Sequence, residues 1–176
     1  MSYDVEKFSA ELEMKDFVES CVDIPKFDAL CRECPGYGKT WMCPPFDFDS
    51  ASVWSRFSRI RLVVRKLTPR TPADTPDRRI AEASAAIAAE KSRLMEELWD
   101  EESIEEGSLS CFLGSCSLCE KCTRPEGRAC RFPDRARHSI EAIGADVGKA
   151  CEKYLGIKIL WGTKETQPKY YILAGA

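Results

Sequence analysis

Seven of the chain's ten cysteines fall in two short blocks, and that grouping constrains the fold more than any other feature. Cys31, Cys34 and Cys43 lie in CRECPGYGKTWMCPP; Cys116, Cys119, Cys122 and Cys130 lie in GSCSLCEKCTRPEGRACRFP. In an oxidising compartment such a chain is stapled by disulfides, whereas in a reducing one clustered thiols serve metal or redox chemistry. The N-terminus MSYDVEKFSAELEMKDF mixes acids, bases and apolar residues and reads as no signal peptide. No stretch of about 18 apolar residues occurs, so no membrane span is expected. A cytoplasmic, soluble protein is therefore expected, and its cysteines point to metal. Net charge −3 and a pI near 5.4 provide no global positive field for nucleic acid or an anionic membrane. The 176 residues suit one domain, 1–176, with a core large enough to fold unaided.

The second block carries the stronger signal. Its C-x2-C-x2-C run resembles that of ferredoxins, where short turns aim successive sulfurs at different irons of one cluster. Ferredoxins place the fourth cysteine three residues on, before a proline; here Cys130 follows after seven residues, with Arg131 next and Pro133 beyond. The ligand set Cys116, Cys119, Cys122 and Cys130 is complete and its loop longer. Gly114 and Gly127 relax the backbone near it, and Lys121, Arg124, Arg128 and Arg131 can offset its charge. Zinc is the competitor, but four-thiolate zinc sites usually pair two separated C-x2-C knuckles, which favours a [4Fe–4S] cluster here.

The first block offers a C-x2-C knuckle and Cys43, followed by Pro44 and Pro45. Its fourth position is supplied by Cys21 or Cys111, or is open. An open position would leave one metal coordination site for a substrate. Tyr37 and Trp41 between the thiols read as core packing or as a shield. GYGK with Lys39 lacks the spacing of a phosphate loop. His138, the only histidine, reads as a helix-surface residue with a ligand role as the alternative, and it excludes catalysis by a histidine pair. Cys151 falls on the apolar stripe of its helix and reads as a small hydrophobe.

Around the blocks, residues 1–20 read as a short helix on Val5, Phe8 and Leu12, with a strand as the alternative. Residues 25–48 read as an irregular loop, after which Asp49 or Ser50 caps a short helix. RIRLVVRKL alternates as a half-buried strand. A Pro- and Thr-rich connection from Thr68 to Asp77 leads to Thr75 and Pro76, which start a long helix to about Asp100. That helix carries Ile80, Ala83, Ile87, Leu94 and Leu98 inward and Glu90 outward. SLSCFLG reads as a short strand after the acidic patch at 101–106, and Pro133 to Ile143 as a short helix. Asp146 caps another helix that Gly156 ends. GIKILWG and KYYILAG read as a hairpin across TKETQP. The expected class is α/β or α+β, a small mixed sheet flanked by helices with two inserted cysteine-rich metal loops.

Together the two blocks and the segment CRFPDRARHSIEAIGADVGK resemble a bacterial and archaeal family of predicted metal-binding proteins, domain of unknown function 2284. Arg137, Ser139, Glu141, Ala142, Gly144, Asp146 and Val147 match its pattern after the last cysteine, with His138 and Ile140 in place of the more usual Pro and Met. The resemblance implies seven ligands: Cys31, Cys34, Cys43, Cys116, Cys119, Cys122 and Cys130. Cys21 and Cys111 have no counterpart in it. Seven fits one four-cysteine site plus a three-cysteine site whose fourth position is open or not cysteine. The expected function is a redox protein with one or two [4Fe–4S] clusters that serves a partner protein or a small-molecule substrate. The alternatives are a structural zinc module and a metal or cluster carrier.

Overall fold

RIRLVVRKL is the axis of the fold. In the computed structural model, which describes residues 3–71, 74–163 and 166–176, it lies in β2, Arg59–Pro69, the central strand of a three-stranded sheet. The first strand β1, Tyr3–Glu13, pairs along its whole length, with Tyr3 opposite Pro69 and Glu13 opposite Arg59. The last strand β3, Tyr171–Gly175, covers the other edge, with Tyr171 opposite Leu67 and Gly175 opposite Val63. Both ladders are antiparallel, so the sheet expected to be mixed is not, while the α+β class with flanking helices holds.

Three helices precede β2: α1 Met14–Cys21, α2 Ile24–Glu33 and α3 Ser50–Trp54. The long α4, Pro76–Ile104, and α5, Val147–Leu155, follow it. Ile60, Leu62 and Val64 point to one side of the sheet and pack with Phe17, Trp54, Ile140, Ile143 and Cys151. Val63 and Leu67 point to the other side, against Leu94, Met95, Leu98, Phe112 and Leu113. That alternation is the two-residue period of a strand. With α4 laid over the second face, β2 is buried on both sides rather than half-buried. Even Arg65 is only 4% exposed, its Nε 3.6 Å from Glu90 Oε1 and its guanidinium also paired with Glu97. Glu90, expected to face water, is thus a buried partner of the strand.

Local signals placed the helix starts. Asp23, Asp49, Thr75 and Asp146 accept from the amides of Lys26, Ala51, Arg78 and Lys149 and so satisfy helix-end donors. Gly156, at φ +67°, ends α5.

Other expectations fail for tertiary reasons. Residues 3–13 are strand, not helix, because β2 supplies a full-length partner and cross-strand ion pairs such as Lys66 with Glu6 at 2.8 Å; only from Met14 does the chain turn helical. The stretch expected to be irregular from 25 onward is helical to Glu33. SLSCFLG is not a strand: Phe112 makes one isolated bridge to Ser139, and Cys111 exchanges backbone hydrogen bonds with Ala176. The expected helix at 133–143 is a series of turns ending in a 3-10 turn, Glu141–Ile143. GIKILWG does not pair with β3; Ile157 and Ile159 pack against the core without a ladder, and β3 pairs with β2 instead. Residues 1–2, 72–73 of the Pro- and Thr-rich connection and 164–165 of the expected hairpin turn lie outside the described residues.

Candidate metal centre

The C-x2-C knuckle of the first block straddles a helix end. Cys31 lies in the last turn of α2, and Cys34 is its C-cap, with an extended backbone at φ −73°, ψ 134°. The chain then turns back: the Tyr37 amide donates to Cys34 O at 3.0 Å, and the Gly36 amide donates to Cys34 Sγ at 3.4 Å. Gly38, at φ +68°, donates to Pro44 O at 2.8 Å and closes the loop around Cys43. In the second block the Leu118 amide donates to the thiol of Cys116. Both blocks therefore aim the amide two residues on at a cysteine sulfur. At Cys116 this donor favours the thiolate, the form that binds metal.

Each block gathers its thiols. Burial pushes the Cys31 thiol up from its ordinary value, and the neighbouring Cys43 and Cys34 push it further. Burial likewise raises Cys116, opposed by the Leu118 amide and reinforced by Cys130, Cys119 and Cys122. The sulfurs thus lie near enough to feel one another's charge. Among the described residues, however, no three His, Cys, Asp or Glu side chains already form a group that could hold a metal ion, and all ten cysteines are free. A metal ion is what draws deprotonated thiolates into one shell. The donors suit zinc or an iron–sulfur cluster, the usual choices of thiolate ligands.

The remaining cysteines stand apart. Cys21 and Cys151 are neighbours in the apolar core between α1 and α5, 2% and 0% exposed. Cys151 packs as a small hydrophobe, as expected. Burial pushes the thiols of Cys111 and Cys151 up to about 12. Neither Cys21 nor Cys111 is among the charged neighbours of Cys31, which are Cys43, Cys34, Asp28 and Glu141.

What only the folded chain reveals is that the two blocks abut. Arg124, expected to offset cluster charge, reaches across instead: it donates to Thr40 O at 2.7 Å and to the carbonyls of Cys43 and Pro45. Trp41 Nε1 donates to Arg128 O at 3.1 Å, and the Arg124 guanidinium lies 5.5 Å from its ring centroid. A Cβ built on Gly36 would meet both Cys34 Sγ and Ser115 Oγ at 3.6 Å, so the loops touch there. Lys91, from α4, donates to Ser115 O at 2.8 Å, and its ammonium senses Cys116 of one block and Cys43 of the other. Burial lowers its pKa, and those thiols oppose the shift. Lys121 and Arg128 pair with Glu126 and are less available to a cluster.

His138 is no surface residue. Its Nδ1 lies 3.2 Å from Met42 O and its ring packs edge-on against Phe46 and Phe48, at 4.6 and 5.4 Å between centroids. Burial lowers its pKa, opposed by the Met42 carbonyl. A cleft of about 430 Å³ opens beside it, lined by Met42, Phe48, Arg56, Arg137, His138 and Cys111.

Sequence reasoning missed Lys91, and it assigned no role to Thr40 or Glu141. Thr40 Oγ1 and Glu141 Oε2 are shut from solvent without a hydrogen-bond partner among the described residues. Buried polar atoms rarely go unpaired; Arg65 Nε and Arg79 Nε, away from the cysteine blocks, are also so placed. No sequence pattern marks Lys91; Glu141 was legible only as part of the motif after Cys130.

An α+β scaffold that presents two abutting thiol-rich loops defines a cysteine-rich protein built to meet metal. The chain belongs to the predicted metal-binding protein family DUF2284, whose pattern matches residues 18–174. No curated protein and no solved structure matches the chain. No helix among the described residues is long and apolar enough to cross a membrane.

Proposed function

We propose that the protein is a redox protein of a reducing compartment such as the cytoplasm, with thiolate-bound metal at both cysteine blocks. In this reading Cys116, Cys119, Cys122 and Cys130 hold a [4Fe–4S] cluster, and Cys31, Cys34 and Cys43 hold a second metal centre. When bound, such a cluster supplies one-electron transfer, and a metal with only three thiolates supplies a Lewis-acid position for a small substrate. One electron enters from a reduced partner protein and one leaves to an acceptor. The chain's own part is to hold the loops together through Arg124 and Trp41 and to share the Lys91 ammonium between them. The observation that carries the reading is this juxtaposition of blocks from distant parts of the chain. The cleft beside His138 is of a size for a small molecule.

The test is anaerobic purification of the full chain, with iron, sulfide and zinc analysis and electron paramagnetic resonance of the reduced protein. Expected is a brown protein whose cluster signal is lost in Cys119→Ser and whose metal content falls in Cys43→Ser. Colourless protein that holds only zinc would sink the redox reading.

Two observations keep other readings open to the same measurements. The amide-to-sulfur bond at Cys34 serves a zinc knuckle equally well, and a structural zinc module would unfold on Cys119→Ser with no redox signal at any stage. Cys34 is exposed, as a carrier's releasing ligand would be, and transfer of metal to an apo-ferredoxin would identify a carrier.

A further inference from the structure

We infer that the Glu141 carboxylate is the fourth, non-cysteine ligand of the centre on Cys31, Cys34 and Cys43; this rests on the proposed binding of metal by those thiols. The 3-10 turn Glu141–Ile143 packs directly on α2. The Asp23 amide donates to Gly144 O at 2.8 Å, and a Cβ on Gly144 would lie 2.5 Å from Ile24 Cγ1. Ile24 and Cys31 are seven residues apart, two helical turns, so they share the face of α2 that meets this turn. Trp54 Nε1 pins the far end of the turn by donating to Ile143 O at 3.0 Å.

The carboxylate is held for the role. Ser139, 5% exposed, and the Glu141 amide bond it, and Ser139 also accepts from the Ala142 amide at 3.2 Å; Lys91 faces the carboxylate without an ion pair among the described residues, and Oε2 has no hydrogen-bond partner there. A carboxylate oxygen shut from water with nothing to bond is costly unless a cation meets it. Thr40 Oγ1 is the other unpartnered oxygen of this block, but a neutral hydroxyl is a weaker metal ligand than a carboxylate. Asp28 pairs with Arg32 at 2.7 Å and faces solvent, and Cys21 and Cys111 lie in the apolar core. An oxygen donor beside three thiolates makes this centre chemically unlike the four-thiolate one. Carboxylate is the harder ligand and exchanges more readily, so a substrate can displace it without breaking a metal–sulfur bond.

The test compares the full chain with Glu141→Gln, Glu141→Cys and Cys43→Ser, purified anaerobically. Bound metal is measured by elemental analysis, folding by circular dichroism, and donor type by the thiolate-to-metal charge-transfer band after exchange with cobalt(II). Glu141→Gln, nearly isosteric, is expected to weaken the first centre by about tenfold or more, as Cys43→Ser does, while the second centre stays. Glu141→Cys is expected to restore binding with a stronger charge-transfer band. If Glu141→Gln and Glu141→Cys leave metal content, affinity and band unchanged while Cys43→Ser removes a centre, the inference fails and the metal reading stands. If Cys43→Ser also changes nothing, both fail.

Discussion

Glu102 shows how a single residue changes meaning on folding. In the sequence it is one member of the acidic patch at 101–106. In the structure it is 16% exposed in its side chain and forms a paired contact with Arg137, with Nε 3.1 and 3.0 Å from its two oxygens, while the Ser110 amide donates to it at 2.8 Å. Burial raises its pKa, but Arg137 and Ser110 outweigh burial and hold the carboxyl below its ordinary value. A depressed folded pKa adds stability above the unfolded value of about 4.3 and loses it as pH falls through the folded value. Glu102→Gln is therefore expected to cost roughly 1 to 3 kcal/mol near neutrality, with the gap to the parent closing toward about pH 3. Thermal melts of both proteins across that range check it; a gap independent of pH would contradict the assignment. The cysteines divide on the same principle. Which thiols are core and which face other thiols depends on burial: the helical stripe marks Cys151 as core, whereas Cys21 looks as ready a ligand as Cys31 until the fold buries it.

At the scale of elements, capping was the dependable signal. Thr75-Pro76 and Asp146 with Gly156 are local chemistry, and the helices they bound were legible. Strand partnership was not. The same β1 residues that could wind as a helix lie flat because β2 is available beside them, and the β-type run at 156–162 stays unpaired because β2 already has a strand on each edge. The most sensitive joint between elements is Gly144, at φ +98° with Ile24 against it. Gly144→Ala combines left-handed backbone strain with a clash against Ile24 backbone at 2.9 Å, for an expected loss of roughly 2 to 5 kcal/mol. Because α2 carries Cys31, the variant is also expected to bind less metal at the first block. Chemical denaturation and metal analysis test the two effects separately; a fully stable variant would show that the turn and α2 do not meet as described.

Across the whole molecule, one face of the sheet carries α4 and the other carries α1, α3 and α5, and the two thiol-rich loops pack on each other. The sheet has a hydrophobic core on both faces, whereas the loops are joined chiefly by hydrogen bonds, so their order should depend on metal. Stripping the protein with a chelator is expected to lower its melting temperature and to expose residues 34–48 and 114–130 to protease while sheet and helix content persist. Limited proteolysis with mass spectrometry, alongside circular dichroism, reads this; identical cleavage with and without chelator would refute it.

The sequence by itself determined the two sets of closely spaced thiols, the capped helices and the strand-forming run at the centre, because each depends on neighbours within a few positions. Only the tertiary structure decided that Lys91, Arg124 and Trp41 join the two blocks, that Glu90 is buried, and that the turn bearing the unpaired Glu141 oxygen packs on the helix bearing Cys31. Those pairings join residues from 24 to more than 80 positions apart, and what brings them together is burial against a shared sheet, which no local pattern encodes.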